Sequence, residues 1–424
     1  MPPSLNTTER QIISKVAWHL LPLMFVCYMA AFVDRVNVSF AKLSMLADTG
    51  LSTVTYATGA GIFFIGYFIF EVPSNLVLER VGARIWIARI MLVWGVISCS
   101  MLFVNGKWSY YALRFLLGAA EAGFYPGMIL YNTYWFPSRY RARTIAAFQT
   151  AAVSSYLVGG PIAGFVMDHP QFGMRDWRWL FLVEGIPSVL LGIVVLLALP
   201  NRPRDAGWLA AEEKDWLTSV LDSERAAAER NGRLTLRQAL TNPRVLLLSG
   251  IYFSNVVGGY GVDFFMPTML QTAFPSVTKS QLGLISAIPP LITIPVMLLY
   301  SRLSSRVSWR RSTSLALWWL AAGLVLLSLP MPPLFVLAAA TVCSAARWSF
   351  LGPFFVLPTA FLTGTAAAGG LALINATANL GGQAGPVILG ALQSPDGSFG
   401  AGLRVVAGLL VVCGALCLKL RRPG

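Results

Sequence analysis

The sequence predicts an all-α integral membrane protein of twelve transmembrane helices. Three observations predict it. Hydrophobic residues make up 56% of the 424 residues and charged residues only 12%, where a soluble chain carries roughly 25% charged residues. The apolar residues fall in long runs, and a spanning helix needs roughly 20 mostly apolar residues. Lys and Arg gather in alternate connecting segments, as expected when one set of loops stays on the cytoplasmic side.

The first six runs are Val16–Ala41, Val54–Leu78, Ile85–Val104, Tyr110–Phe136, Thr144–Met167 and Trp177–Leu199. The second six are Val245–Leu270, Leu282–Tyr300, Thr313–Leu329, Leu334–Leu351, Gly364–Leu392 and Leu403–Leu420. Between the two sets Pro200 to Arg204 ends a helix, and Glu212, Glu213, Lys214, Asp215, Asp222, Glu224 and Arg225 follow densely. Trp208, Leu209, Trp216, Leu217 and Leu221 recur there at near-helical spacing, which predicts an amphipathic surface helix. The chain thus divides into a six-helix lobe at 1–199, a cytoplasmic linker at 200–244 and a second six-helix lobe at 245–424.

An even number of spans places both termini on one side. With both inside, the inner segments hold clusters such as Arg80, Arg84, Arg89; Arg139, Arg141, Arg143; Arg233, Arg237, Arg244; and Arg302, Arg306, Arg310, Arg311. The outer segments hold only Lys42, Lys107, Arg175, Arg178, Lys279 and Arg404. The net charge of +14 is therefore a loop bias, and no nucleic-acid-binding face is expected. Cys27, Cys99, Cys343, Cys413 and Cys417 lie in apolar runs without metal or redox spacing, and His19 and His169 are far apart, so no metal site is expected. No secretory signal peptide is expected, because Met1 to Lys15 is polar and the next apolar run is too long.

The two halves echo each other. Gly159-Gly160-Pro161-Ile162-Ala163-Gly164 in the fifth run resembles Gly381-Gly382-Gln383-Ala384-Gly385-Pro386 in the eleventh. Equivalent small-residue motifs at equivalent places suggest parallel repeats, as in two-lobed transporters. Further stretches are Asp34-Arg35-Val36-Asn37-Val38, Glu71-Val72-Pro73-Ser74-Asn75, Arg114-Phe115-Leu116-Leu117-Gly118 with Glu121-Ala122-Gly123-Phe124-Tyr125-Pro126-Gly127, and Trp135-Phe136-Pro137. Trp177-Arg178-Trp179-Leu180-Phe181, Glu184-Gly185-Ile186-Pro187, Leu373-Ile374-Asn375 and Asn379-Leu380-Gly381-Gly382 complete the set. Together, in this order, they resemble the anion:cation symporter family of major facilitator superfamily transporters, over nearly the whole chain.

The resemblance implies the major facilitator fold, a small organic anion as substrate (a sugar acid, tartrate-like or aromatic carboxylate) and a proton as the coupling ion, with no other cofactor. It implies a multi-pass monomer in lipid of the inner membrane. Charged side chains inside spans are costly, about 2.5–3.5 kcal/mol each, so the few present are the site candidates. Arg114 and Glu121 lie seven residues apart, nearly two turns and about 10 Å along one helix face. A guanidinium grips a carboxylate bidentately, and a carboxyl in a low-dielectric cavity takes up a proton more readily. Glu121 is thus a proton carrier and Arg114 an anion binder. By resemblance Asp34 is a second proton carrier, and Arg35, Tyr67 and Asn375 face the anion, with Asn379 left to packing. Glu79, Arg80 and Arg84 match a cytoplasmic gate motif, and Glu71 and Glu184 read as structural. The family pattern does not supply Arg347, in the tenth run. It either neutralises Asp263 of the seventh or binds a second anionic group.

Other classes fit less well. Lipophilic-drug export does not need Arg114 and Arg347, no HExxH or GxSxG constellation marks an enzyme, and no phosphate loop marks an ATP-driven pump.

Overall fold

The computed structural model describes residues 5–230, 242–304, 306–359 and 364–420. Arg233 and Arg237, which entered the loop-charge pattern, lie outside them. The described residues form helices and connecting turns, with no strand among them. The first lobe contains α1 (Leu5–Thr49), α2 (Thr53–Val81), α3 (Ala83–Ser100), α4 (Lys107–Glu121), α5 (Phe124–Thr133), α6 (Ser138–Asp168) and α7 (Asp176–Ala198). The linker holds α8 (Ala211–Arg230). The second lobe contains α9 (Pro243–Asp263), α10 (Met266–Ala273), α11 (Lys279–Ser304), α12 (Trp309–Leu327), α13 (Pro333–Ser349), α14 (Leu351–Thr359), α15 (Gly364–Asn379), α16 (Gly381–Ala391) and α17 (Gly400–Leu418).

Among the described residues nine helical stretches are long and apolar enough to cross a membrane. The other three expected spans are the α4–α5 pair, α12 and the α15–α16 pair. The fourth span breaks at Ala122-Gly123, where Gly123 takes φ +85°. That left-handed conformation suits a residue without Cβ, and a Cβ here would also run into the Ser74 side chain. α1 begins eleven residues before the expected start at Val16. Its extra turns are polar and are held at the surface, where Glu9 pairs with Arg139 and accepts a 2.8 Å bond from Tyr140.

Large apolar side chains such as Val72, Leu76, Leu197, Leu291 and Leu299 are exposed on the outside of the bundle. In lipid this is the expected arrangement, and small residues then govern helix approach. The two glycine motifs make pseudo-symmetric contacts between lobes. Gly160 and Gly164 on α6 lie against the backbone of α11 at Gly283 and Lys279, and Gly382 on α16 lies against Phe64 of α2. The fifth span meets the eighth, and the eleventh meets the second, as the internal repeat requires.

The linker helix packs on the first lobe. Leu209 and Leu217 are buried, Trp208 stacks on His19 at 4.2 Å, and Glu224 accepts bonds from Ser138 and Arg141. Lys15 donates a 2.7 Å bond to Glu213 and holds that carboxyl below its ordinary range. The membrane face bearing this helix is the linker face below.

Candidate functional site

A cavity of about 420 Å³ lies between the lobes. Its walls include the linker-face ends of α6, α11 and α14, at Ala146, Ser301 and Phe355, so it opens toward the linker. The opposite face is closed. Tyr56 of α2 donates a 2.8 Å bond to the carbonyl of Phe264, and Lys42 of α1 bonds Thr268 of α10 at 3.0 Å. Asp168 at the end of α6 accepts the first backbone N–H groups of α11, from Lys279 and Ser280, at 3.2 and 2.7 Å. Those N–H groups have no partner within their own helix, so the carboxylate caps α11 across the lobe boundary.

This closure yields a prediction. A Cβ on Gly164 would overlap the backbone carbonyl of Lys279. Overpacking costs about 1–3 kcal/mol, so Gly164→Ala should disfavour closure of the opposite face by roughly ten- to a hundredfold. A cysteine placed at Thr268 should then label faster from that face, and an unchanged rate would show that the α6–α11 contact does not hold the gate.

Two cations face the cavity. Arg35 of α1 pairs with Glu121 at the end of α4 and donates a 3.1 Å bond to the Tyr260 hydroxyl of α9. Its guanidinium lies 4.9–5.4 Å from the rings of Phe32, Phe63 and Tyr67, and its Nε has no partner. Arg347 of α13 pairs with Asp263 of α9, and its guanidinium lies 4.7 Å from the Tyr260 ring and 5.1 Å from that of Trp348. Tyr260 therefore stands between the cations, its hydroxyl bonded to one and its ring against the other. Asp263 also accepts a 2.7 Å bond from Tyr156 of α6 in the other lobe. The pairs use repeat-related helices with the charges exchanged: Arg on the first span and acid on the fourth, then acid on the seventh and Arg on the tenth. In each, the guanidinium lines the cavity and the acid does not.

The structure separates the residues proposed from sequence. Arg35, Tyr67, Asn375 and Arg347 line the cavity. Asn379, left to packing from sequence, lines it too. Arg114 does not. It is fully buried, with its guanidinium bonded to the carbonyls of Gly59 and Ala60 at 3.4 and 3.2 Å and lying 5.0 Å from the Phe63 ring. The two-turn spacing from Glu121 carries it toward the closed face, so in this conformation Glu121 partners Arg35. Asp34 also faces away. It accepts bonds from Trp94, Ser98 and Ser188 at 2.8, 2.8 and 2.5 Å and ties α1 to α3 and α7. Glu79 and Arg80 are exposed, with no side-chain bond or ion pair to any described residue, while Arg84 donates to the Leu196 carbonyl and its backbone N–H to Asn201.

Sequence reasoning missed Tyr260 and Tyr156. Tyr260 lies one turn before Asp263 on an apolar helix, and Tyr156 lies one turn before Gly159. Polar residues at i, i+3 to a marked position were the available signal.

A two-lobed helical bundle with a central cavity closed at one face has the build of an alternating-access carrier. A family profile described as Major Facilitator Superfamily matches residues 24–276. A protein named "Putative tartrate transporter" from Agrobacterium vitis is 42% identical over 98% of this chain and 95% of its own length. The chain belongs to the major facilitator superfamily. It is a multi-pass membrane transporter and not an enzyme. A "Quinolone resistance transporter" from Acinetobacter baumannii is 38% identical over 93% of this chain and 91% of its own. Among solved structures, an inward-facing, occupied bacterial homologue of the lysosomal transporter Spinster superposes with a TM-score of 0.74 at 16% identity. That match covers 94% of this chain and 95% of the other. At that identity it speaks for the fold of this superfamily member alone.

Proposed function

We propose that this transporter imports a small organic anion by proton symport across the inner membrane, as a monomer, with the linker and both termini in the cytoplasm. The observation that carries the reading is the pair Arg35 and Arg347, two guanidiniums on opposite lobes of one cavity. A guanidinium stays charged at any working pH and binds a carboxylate through two parallel bonds. Each is held by an acid of its own lobe, Glu121 for Arg35 and Asp263 for Arg347, so an arriving carboxylate displaces an acid that a proton then neutralises. The aromatic walls, with Tyr28 stacked on Phe148 at 4.4 Å and Tyr125 beside them, suit a compact or flat anion. The Agrobacterium relative's name adds tartrate as the first probe.

The Acinetobacter relative's name supports a second reading, outward movement of a carboxylate-bearing drug. Direction decides between them. Proteoliposomes given an inward proton gradient should accumulate labelled tartrate, a sugar acid or an aromatic carboxylate, and a protonophore should abolish accumulation. Accumulation of none of these, with proton-driven loss of a quinolone from loaded vesicles, would replace import with export.

A further inference from the structure

We infer that Asp263 is a second proton-accepting group, set in the wall between the cavity and the opposite face, and that its protonation frees Arg347 for substrate. The inference rests on the proton-coupled reading above. The wall has two sides. Arg347 lines the large cavity, whereas Asp263 lines a separate pocket of about 70 Å³ in the opposite-face half, and Trp348 touches both. The ion pair therefore crosses the partition, with the guanidinium on the substrate's side and the carboxylate on the other.

The pocket is polar where it needs to be. Asn37 of α1 and Glu184 of α7 line it side by side and are more than nine-tenths buried. Its volume admits a few waters, which need polar groups of this kind. Burying an amide and a carboxyl beside Asp263 is costly, so the pocket has the composition of a short proton path rather than of packing. The groups that face Asp263 are few. Arg347 and Cys343 come from α13 and Tyr156 from α6, and Glu184 of α7 lines the same pocket. The pocket residues of α1, α10 and α11 carry no charge.

The charges balance. As paired, Asp263 and Arg347 sum to zero. One proton converts the carboxylate to a neutral acid and leaves an unpaired guanidinium, which a substrate carboxylate then neutralises. When the carboxylate leaves into the linker-face cavity, Arg347 again favours the ionised form of Asp263, and the proton leaves past Arg347 into that same cavity, so that proton and anion cross together. Together with Glu121 and Arg35, this moves two protons with a dicarboxylate.

The test needs no substrate, so its failure is distinct from failure of the transport assays. Infrared difference spectra of the full chain in lipid, taken as the pH is lowered, should show a protonated-carboxyl band, part of which is missing in Asp263→Asn. In Arg347→Met that part should appear before it does in the wild type, because the carboxylate has lost its counter-ion. This second variant decides the matter should Asp263→Asn not fold. The same band in the wild type and in Asp263→Asn, or an Arg347→Met spectrum indistinguishable from wild type, would make the pair purely structural.

Discussion

Arg35→Ala is expected to abolish transport and to destabilise the protein, the largest effect of any single change in the site. Arg35 pairs with Glu121, bonds Tyr260 of the other lobe, and lines the cavity. Removing one partner of a buried ion pair costs about 3–5 kcal/mol, which corresponds to roughly a hundredfold to a few thousandfold in an equilibrium. Arg35→Lys should rescue little, because a point-like ammonium lacks the planar fork that can grip a carboxylate bidentately while it also holds Glu121 and Tyr260. Stability and function are separable with Arg35→Met combined with Glu121→Gln. That double variant removes both charges and should recover much of the thermal stability in detergent while remaining inactive. Uptake by Arg35→Ala within a few fold of wild type would remove Arg35 from the substrate site.

Glu121→Gln should retain substrate exchange and lose a defined share of accumulation. The amide keeps the size of the protonated acid but carries no proton. One proton across a one-unit pH gradient supplies about 1.4 kcal/mol, or roughly tenfold in concentration. Accumulation by Glu121→Gln should therefore fall about tenfold per unit of gradient, while counterflow at equal pH stays within a few fold of wild type. The remaining accumulation belongs to Asp263, so adding Asp263→Asn should remove it. Full accumulation by Glu121→Gln would place the proton elsewhere. Asp34 is then the weaker candidate, since its carboxylate already accepts three bonds from Trp94, Ser98 and Ser188.

These effects bear on how the carrier alternates. The lobes are joined across the cavity floor by Arg35 with Tyr260 and by Tyr156 with Asp263. Each link includes a charged group that substrate or proton would engage. A ligand shifts a two-state equilibrium only by its differential affinity for the two states. An anion competing for Arg35 and a proton on Asp263 both act on contacts present in the linker-face-open form, which is the differential interaction that coupling requires.

The sequence by itself determined the helical membrane architecture, the division into two lobes and the candidate list. Each span inserts on its own hydropathy, and loop charge is a local property, so both can be read without knowing what the helices touch. Even the glycine motifs announced a close approach, because no larger residue permits one. The tertiary structure decided which charges meet. Arg114 and Glu121 share a helix face, yet the break at Ala122-Gly123 and the approach of α1 give Glu121 to Arg35, and Arg114 turns to the carbonyls of Gly59 and Ala60. Asp34 and Arg35 are neighbours in sequence, but one hundred degrees of helical rotation send one into the lobe and the other to the cavity. The partnership of Asp263 with both Arg347 and Tyr156 joins three helices from two lobes. Their relative rotation is set by packing between segments that are distant in the chain, and no local pattern encodes it.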